Sequence, residues 1–131
     1  MRSRILFISG RKQDARRLTQ MLDRLDVALD YVEGIRHARA QLRQENYRVI
    51  LTEAALPDGY WLDVLQLARQ AAPEPQVIVT DANADARFWA EALNLGAFDL
   101  LVQPFDELEV RRILDNACSR PAVHTLHAAA V

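Results

Sequence analysis

The sequence predicts a doubly wound α/β domain with five parallel strands and helices on both faces. Three observations carry that expectation. Short β-rich runs alternate with longer segments of helical period along the chain. Three of those runs are almost continuously apolar, as strands covered on both faces are. No internal repeat or low-complexity block points to another architecture.

The strands are expected at residues 4–8, 28–32, 48–52, 76–80 and 99–102. Between them, Leu18, Met21, Leu22 and Leu25 recur at helical spacing, as do Leu62, Leu65, Leu67 and Ala68, and then Ala86, Trp89, Ala90 and Leu93. Each stripe is expected to cover the sheet. A last helix over residues 107–118 has Asp106 as its cap, Glu109 as the capping-box partner, and Val110, Ile113 and Leu114 facing inward. Pro121 ends it. Short connections and right-handed crossovers then give the flavodoxin-like strand order 2-1-3-4-5.

A chain of 131 residues, half of them apolar, has room for one core. Residues 1–118 are expected to form the domain and 119–131 a flexible, Ala-rich tail that holds His124 and His127. Apolar runs such as Ile5-Leu6-Phe7-Ile8 are far shorter than the roughly 20 residues that span a bilayer. They are also too short for a signal-peptide core, so no membrane association and a cytoplasmic location are expected. Residues 1–48 carry eleven Lys or Arg against six Asp or Glu, and residues 49–131 carry five against twelve. Asp14, Asp23, Asp26, Glu33 and Glu45 interrupt the basic half, so solvated helix faces are expected there rather than a nucleic-acid footprint. His37, between Arg36 and Arg39, is expected to be solvated, and the single cysteine, Cys118, to be a half-buried helix residue.

In a sheet of this kind, function gathers at the carboxyl ends of the strands, here after Ile8, after Thr52, after Thr80 and at Gln103. Three segments meet there: Arg4-Ile5-Leu6-Phe7-Ile8, the run from Val49 through Glu53, Leu56 and Pro57 to Gly59, and the run from Gly96 through Asp99 to Gln103-Pro104-Phe105. In these segments the chain resembles the receiver domain of bacterial two-component response regulators, from about Arg4 to Cys118. The resemblance implies an acidic pair after the first strand, a phosphate-accepting Asp after the third, a Ser or Thr after the fourth and a Lys before the proline of the fifth.

This chain departs from that pattern. Ser9 and Gly10 stand at the acidic-pair positions and offer no carboxylate to a hard cation. Glu53 stands at the phosphoacceptor position, where its extra methylene displaces the carboxylate from in-line geometry. Gln103 replaces the lysine with a neutral amide. Thr80 keeps the switch hydroxyl, which either retains a switch role or bonds a nearby backbone group. Leu100 stands where the family often has a switch aromatic, and reads as core. Glu53 is either an anion without a role or a fixed imitation of part of the phosphorylated state, with Arg11 close enough in sequence to supply a counter-charge. Asp58, before Gly59, is expected to serve turn geometry.

The leading expectation is a degenerate receiver, not an enzyme, that needs no cofactor or metal and works by binding a protein: a sensor kinase, an effector domain or a second copy. A receiver phosphorylated at an atypical site is the alternative. A flavodoxin-like nucleotide or flavin binder is a third, and Ser9-Gly10-Arg11-Lys12-Gln13 lacks the glycine pattern it would want. Carried over from the family, the partner face comprises Arg87, Phe88, Glu91 and Leu95 on the fourth helix and Glu107, Leu108, Arg111 and Asp115 on the fifth. Trp89, Ala92 and Leu93 are expected to point inward, leaving Phe88 outward as an anchor or folded over the helix edge.

Overall fold

The computed structural model describes residues 3–119. Ser119, expected to open the tail, instead ends the last helix, and the rest of that tail, with His124, His127 and the stop at Pro121, lies outside the described residues. Five strands, β1 (Ser3–Ile8), β2 (Val27–Val32), β3 (Val49–Glu53), β6 (Gln76–Asp81) and β7 (Asp99–Val102), form one parallel sheet in the order β2-β1-β3-β6-β7. This is the predicted 2-1-3-4-5 arrangement. It is joined by five helices: α1 (Lys12–Met21), α2 (Ile35–Gln44), α3 (Trp61–Gln70), α4 (Ala86–Asn94) and α5 (Glu107–Ser119). A two-stranded hairpin, β4 (Ala55–Leu56) with β5 (Gly59–Tyr60), follows β3 and has no counterpart in the sequence reading.

Alternation along the strands splits the core in two. Ile5, Phe7, Leu51, Ile78 and Leu101 pack with Leu18 of α1 and Val110, Ile113 and Leu114 of α5. Leu6, Ile8, Ile50, Val77 and Val79 pack with α2, α3 and Ala92 of α4 on the opposite face. Period-two side chains on a sheet buried from both sides account for the apolar runs.

Two helices turn differently about their axes from the expected stripes. On α4, Trp89 is 49% exposed and Leu93 41% exposed, with Ala86 and Ala90 also outside. Phe88 instead packs toward the core, its ring centroid 6.0 Å from that of buried Trp61. Ala92 is buried as expected, and its inward companion is Phe88 rather than Trp89 or Leu93. On α3, Leu62 is exposed while Trp61, Val64, Leu65, Leu67 and Ala68 are buried. Both helices carry apolar residues around more than half their circumference, so the contact between Trp61 and Phe88 decides which arc turns in. At α5, the Asp106 carboxylate accepts from the Glu109 amide as expected, while the Glu109 carboxylate pairs with Arg112 at 3.1 Å.

Candidate functional site

Parallel pairing brings the ends of β1, β3, β6 and β7 to one edge of the sheet. Ser9 lies there fully buried. Its carbonyl accepts from the Tyr31 hydroxyl at 2.7 Å, and its Oγ accepts from the Arg11 amide at 2.9 Å. The same hydroxyl donates to Oε1 of Glu53. From the other side, Nε2 of Gln103 donates to Oε2 of Glu53 and to Oδ2 of Asp14, both at 3.3 Å. Each oxygen of Glu53 thus has a neutral partner. The side chain of Arg11 is exposed, and it is the Arg11 backbone that joins the cluster. Burial, followed by the nearby charges of Glu33, Glu53 and Asp14, holds the Tyr31 hydroxyl above its usual pKa.

Three features here differ from the sequence expectation. Asp14 belongs to the cluster, although the sequence showed it only as an acid interrupting a basic helix; its place in the first turn of α1, just past the first strand, was the available signal. Thr80 lies fully buried beside Glu53 in register, and its hydroxyl has no hydrogen-bond partner, so it does not bond the backbone. Asp58 does more than shape a turn. Its carboxylate accepts from the amides of Ile35 at 2.9 Å and Arg36 at 3.1 Å, capping α2 from the β4–β5 hairpin. Those two backbone bonds hold its carboxyl below the ordinary aspartate pKa. Gly34 makes this approach possible, since a Cβ there would lie 2.6 Å from Oδ1 of Asp58.

The donors at the strand ends do not match a magnesium site. Magnesium seeks anionic oxygens in near-octahedral array, and positions 9 and 10 offer a hydroxyl already bonded to Glu53 and a glycine. Among the described residues no three His, Cys, Asp or Glu side chains converge as a metal site.

A second feature lies between α4, β7 and α5, where a groove of about 580 Å³ is lined by Trp89, Leu100, Val102, Asp99, Glu109 and Arg112 among others. Arg87 and Glu91 on α4 and Leu95 just past its end are exposed but do not line the groove, and Leu108 of α5 is 76% exposed. The α5 residues proposed from sequence divide. Arg111 turns toward α1, where its Nε donates to the Met21 carbonyl at 3.2 Å and its guanidinium meets Glu107 at 3.4 Å. Asp115 lines a different cavity with Ser3 and Leu25. Glu109 and Arg112, not among the face residues expected from sequence, face the groove in their place.

A sheet of this order, with its cleft at the carboxyl edge and a loop after β3 leading into α3, is the architecture of a signalling receiver. Residues 5–115 match the family described as the response regulator receiver domain, and the chain belongs to that family. It is 31% identical over 105 residues to the response regulator protein PilR of Pseudomonas aeruginosa, covering 79% of this chain and 24% of PilR. It is 29% identical over 125 residues to the transcriptional regulatory protein PcoR of Escherichia coli, covering 91% of this chain and 54% of PcoR. The chain therefore spans a quarter to about half the length of these relatives. Among solved structures it resembles the signal receiver domain of an HD domain-containing protein from Pseudomonas fluorescens Pf-5, with TM-score 0.79, 23% identity and coverage of 89% of this chain and 87% of that one. It also resembles the receiver domain of the sensor histidine kinase PA1611 from P. aeruginosa, which holds a magnesium ion in its active-site cleft. That match has TM-score 0.78 and 22% identity, and covers 92% of this chain and 100% of the other. At these identities the structural likeness speaks for the fold. No helix among the described residues is long and apolar enough to cross a membrane.

Proposed function

We propose that this receiver domain signals without aspartyl phosphorylation, as a non-enzymatic module that binds a partner protein through the groove between α4, β7 and α5. The closed cluster around Glu53 carries this reading. A phosphoacceptor needs a carboxylate oxygen free to attack in line, a cation to offset the phosphoryl charge and a lysine to hold the product. Here both oxygens of Glu53 are occupied, by Ser9 and Gln103, and those two residues stand where carboxylate and lysine would be wanted. Glu53 carries one charge and faces an amide, so it imitates a phosphoryl group weakly, and the domain rests in one state with respect to this site.

The groove supports the partner role because it sets Trp89 and Val102, each about half exposed, among the charged side chains of Asp85, Asp99, Glu109 and Arg112. An exposed aromatic with a charged rim is what interface anchors look like. A cytoplasmic site of action, contact with a protein and none with nucleic acid by this domain complete the proposal.

Intact-mass measurement after incubation with a small phosphodonor and magnesium tests it. The expected result is an unchanged mass. A hydroxylamine-sensitive adduct on Glu53, Asp58 or Asp14 would refute it. The variant Ser9→Asp/Gly10→Asp/Glu53→Asp/Gln103→Lys is expected to regain some labelling. That recovery requires the Pro57 ring to yield by a few tenths of an ångström, since a Cβ at position 10 would meet Pro57 Cγ at 3.2 Å.

A further inference from the structure

We propose that the exposed face of α2, remote from the groove used above, docks an acidic segment of a partner protein. The helix Ile35–Gln44 contains four basic or titratable side chains, Arg36, His37, Arg39 and Arg43, and no acidic residue. Ile35 and Ala38 turn inward, while all four of these side chains are exposed around the small Ala40. Arg36, Arg39 and Arg43 stand three and four residues apart and so share one side of the helix. Such spacing of like charges weakens a helix, and Arg36 also sits at the positive end of its dipole.

The neighbouring acids leave most of this charge without an ion-pair partner. Asp58 sits at the N-terminal end of α2, bonded to its amides and close enough to feel His37, and so offsets charge there and not at Arg39 or Arg43; Glu33 lies 3.9 Å from Lys12, and Glu45 belongs with Arg4, which is itself held by Asp30 at 2.7 Å. Among the described residues, Arg36, Arg39 and Arg43 form no ion pair, whereas Arg111 and Arg112 of α5 both do. A cavity of about 190 Å³ opens beside Arg39 and Arg43, walled by Leu42 and Leu67 and large enough for one side chain. Three guanidinium groups with free forks, a small central residue and an adjoining apolar notch suit carboxylates presented at helical spacing with one apolar residue among them.

A protein segment is favoured over nucleic acid on two grounds. The chain as a whole is acidic, with net charge −2, and repels an extended polyanion, while a short segment feels mainly charges within a Debye length of roughly 8 Å. The face also carries no exposed aromatic on which a base could stack, since Tyr47 beneath it is buried.

The test is fluorescence anisotropy with a labelled helical peptide bearing Glu at every fourth position and one Leu. Two charge-matched variants are compared: Arg39→Glu/Arg43→Glu on α2 and Arg16→Glu/Arg17→Glu on α1, which covers the opposite face of the sheet. The α2 variant is expected to lose about tenfold in affinity and the α1 variant less than twofold, with wild-type binding weakening as salt is raised. Equal loss in both variants would reduce the effect to net charge and overturn the proposal, as would no loss in either. Duplex DNA binding as tightly as the peptide would make the face a phosphate binder instead. Sedimentation of the wild type as a dimer that the α2 variant dissolves, without peptide binding, would make the occupant a second copy. Arg39→Glu alone places a carboxylate three residues from Arg36 and four from Arg43, so its melting temperature is expected to rise, and a fall would remove the argument from unpaired charge.

Discussion

Replacing Asp58 with Ala removes the cap on α2 without touching that helix. Two amides at its N-terminus, those of Ile35 and Arg36, lose a shared carboxylate at 2.9 and 3.1 Å. Caps of this kind are worth about 1 kcal/mol, and the exposure of Asp58 keeps the figure from rising higher even though the acceptor is charged. In a domain of this size that corresponds to a loss of about 4 °C in melting temperature. Gly34→Ala should cost a similar amount by another route. Its backbone is extended, with φ −162°, so alanine fits the conformation, but the new Cβ would lie 2.6 Å from Oδ1 and drive the carboxylate off the amides. Both changes abolish one interaction, so the double variant is expected to lose about 1 kcal/mol rather than 2, a coupling of about 1 kcal/mol. Urea denaturation of the four proteins measures it. The pH dependence has a fixed sign. Because folding lowers the Asp58 pKa, its contribution is complete above the unfolded value of about 3.9 and disappears as pH falls through the folded one. The gap between wild type and Asp58→Ala should therefore be full at neutral pH and close below about pH 4. Additive single losses, or a gap that survives in acid, would refute the assignment of Asp58 as the cap of α2.

Two further substitutions probe the core and the site. Phe88→Ala is expected to cost about 2 kcal/mol by leaving Trp61 without its ring neighbour, whereas Trp89→Ala should stay within about 0.5 kcal/mol and instead weaken partner binding. The reverse order in thermal melts would return Phe88 to the surface. Thr80→Val replaces a fully buried hydroxyl that has no partner with a methyl group of the same shape, and is expected to stabilise the fold by about 1 kcal/mol in denaturant titration. A loss of stability would mean that the hydroxyl is satisfied.

The sequence by itself determined the order of strands, the split of apolar residues between two sheet faces and the chemistry available at positions 9, 10, 53, 80 and 103. These are local properties: alternation follows from the pleat, and a parallel sheet returns every strand end to one edge wherever the intervening helices lie. What those residues do to one another was decided by tertiary structure. Gln103 reaches Glu53 and Asp14, 50 and 89 residues away in the chain; the place of Asp14 just past the first strand puts it near the edge, but only the folded chain shows which side chain it meets. Asp58 looked like a turn residue because its neighbours are Pro57 and Gly59, and only the approach of the hairpin to Gly34 made it the cap of a helix 22 residues earlier. The rotation of α4 was undecidable from pattern alone, because Phe88, Trp89, Ala92 and Leu93 supply two overlapping apolar arcs of similar strength. Hydrophobic burial is non-directional and favours either arc, and the ring of Trp61, held by α3 against the sheet, selects the one that contains Phe88.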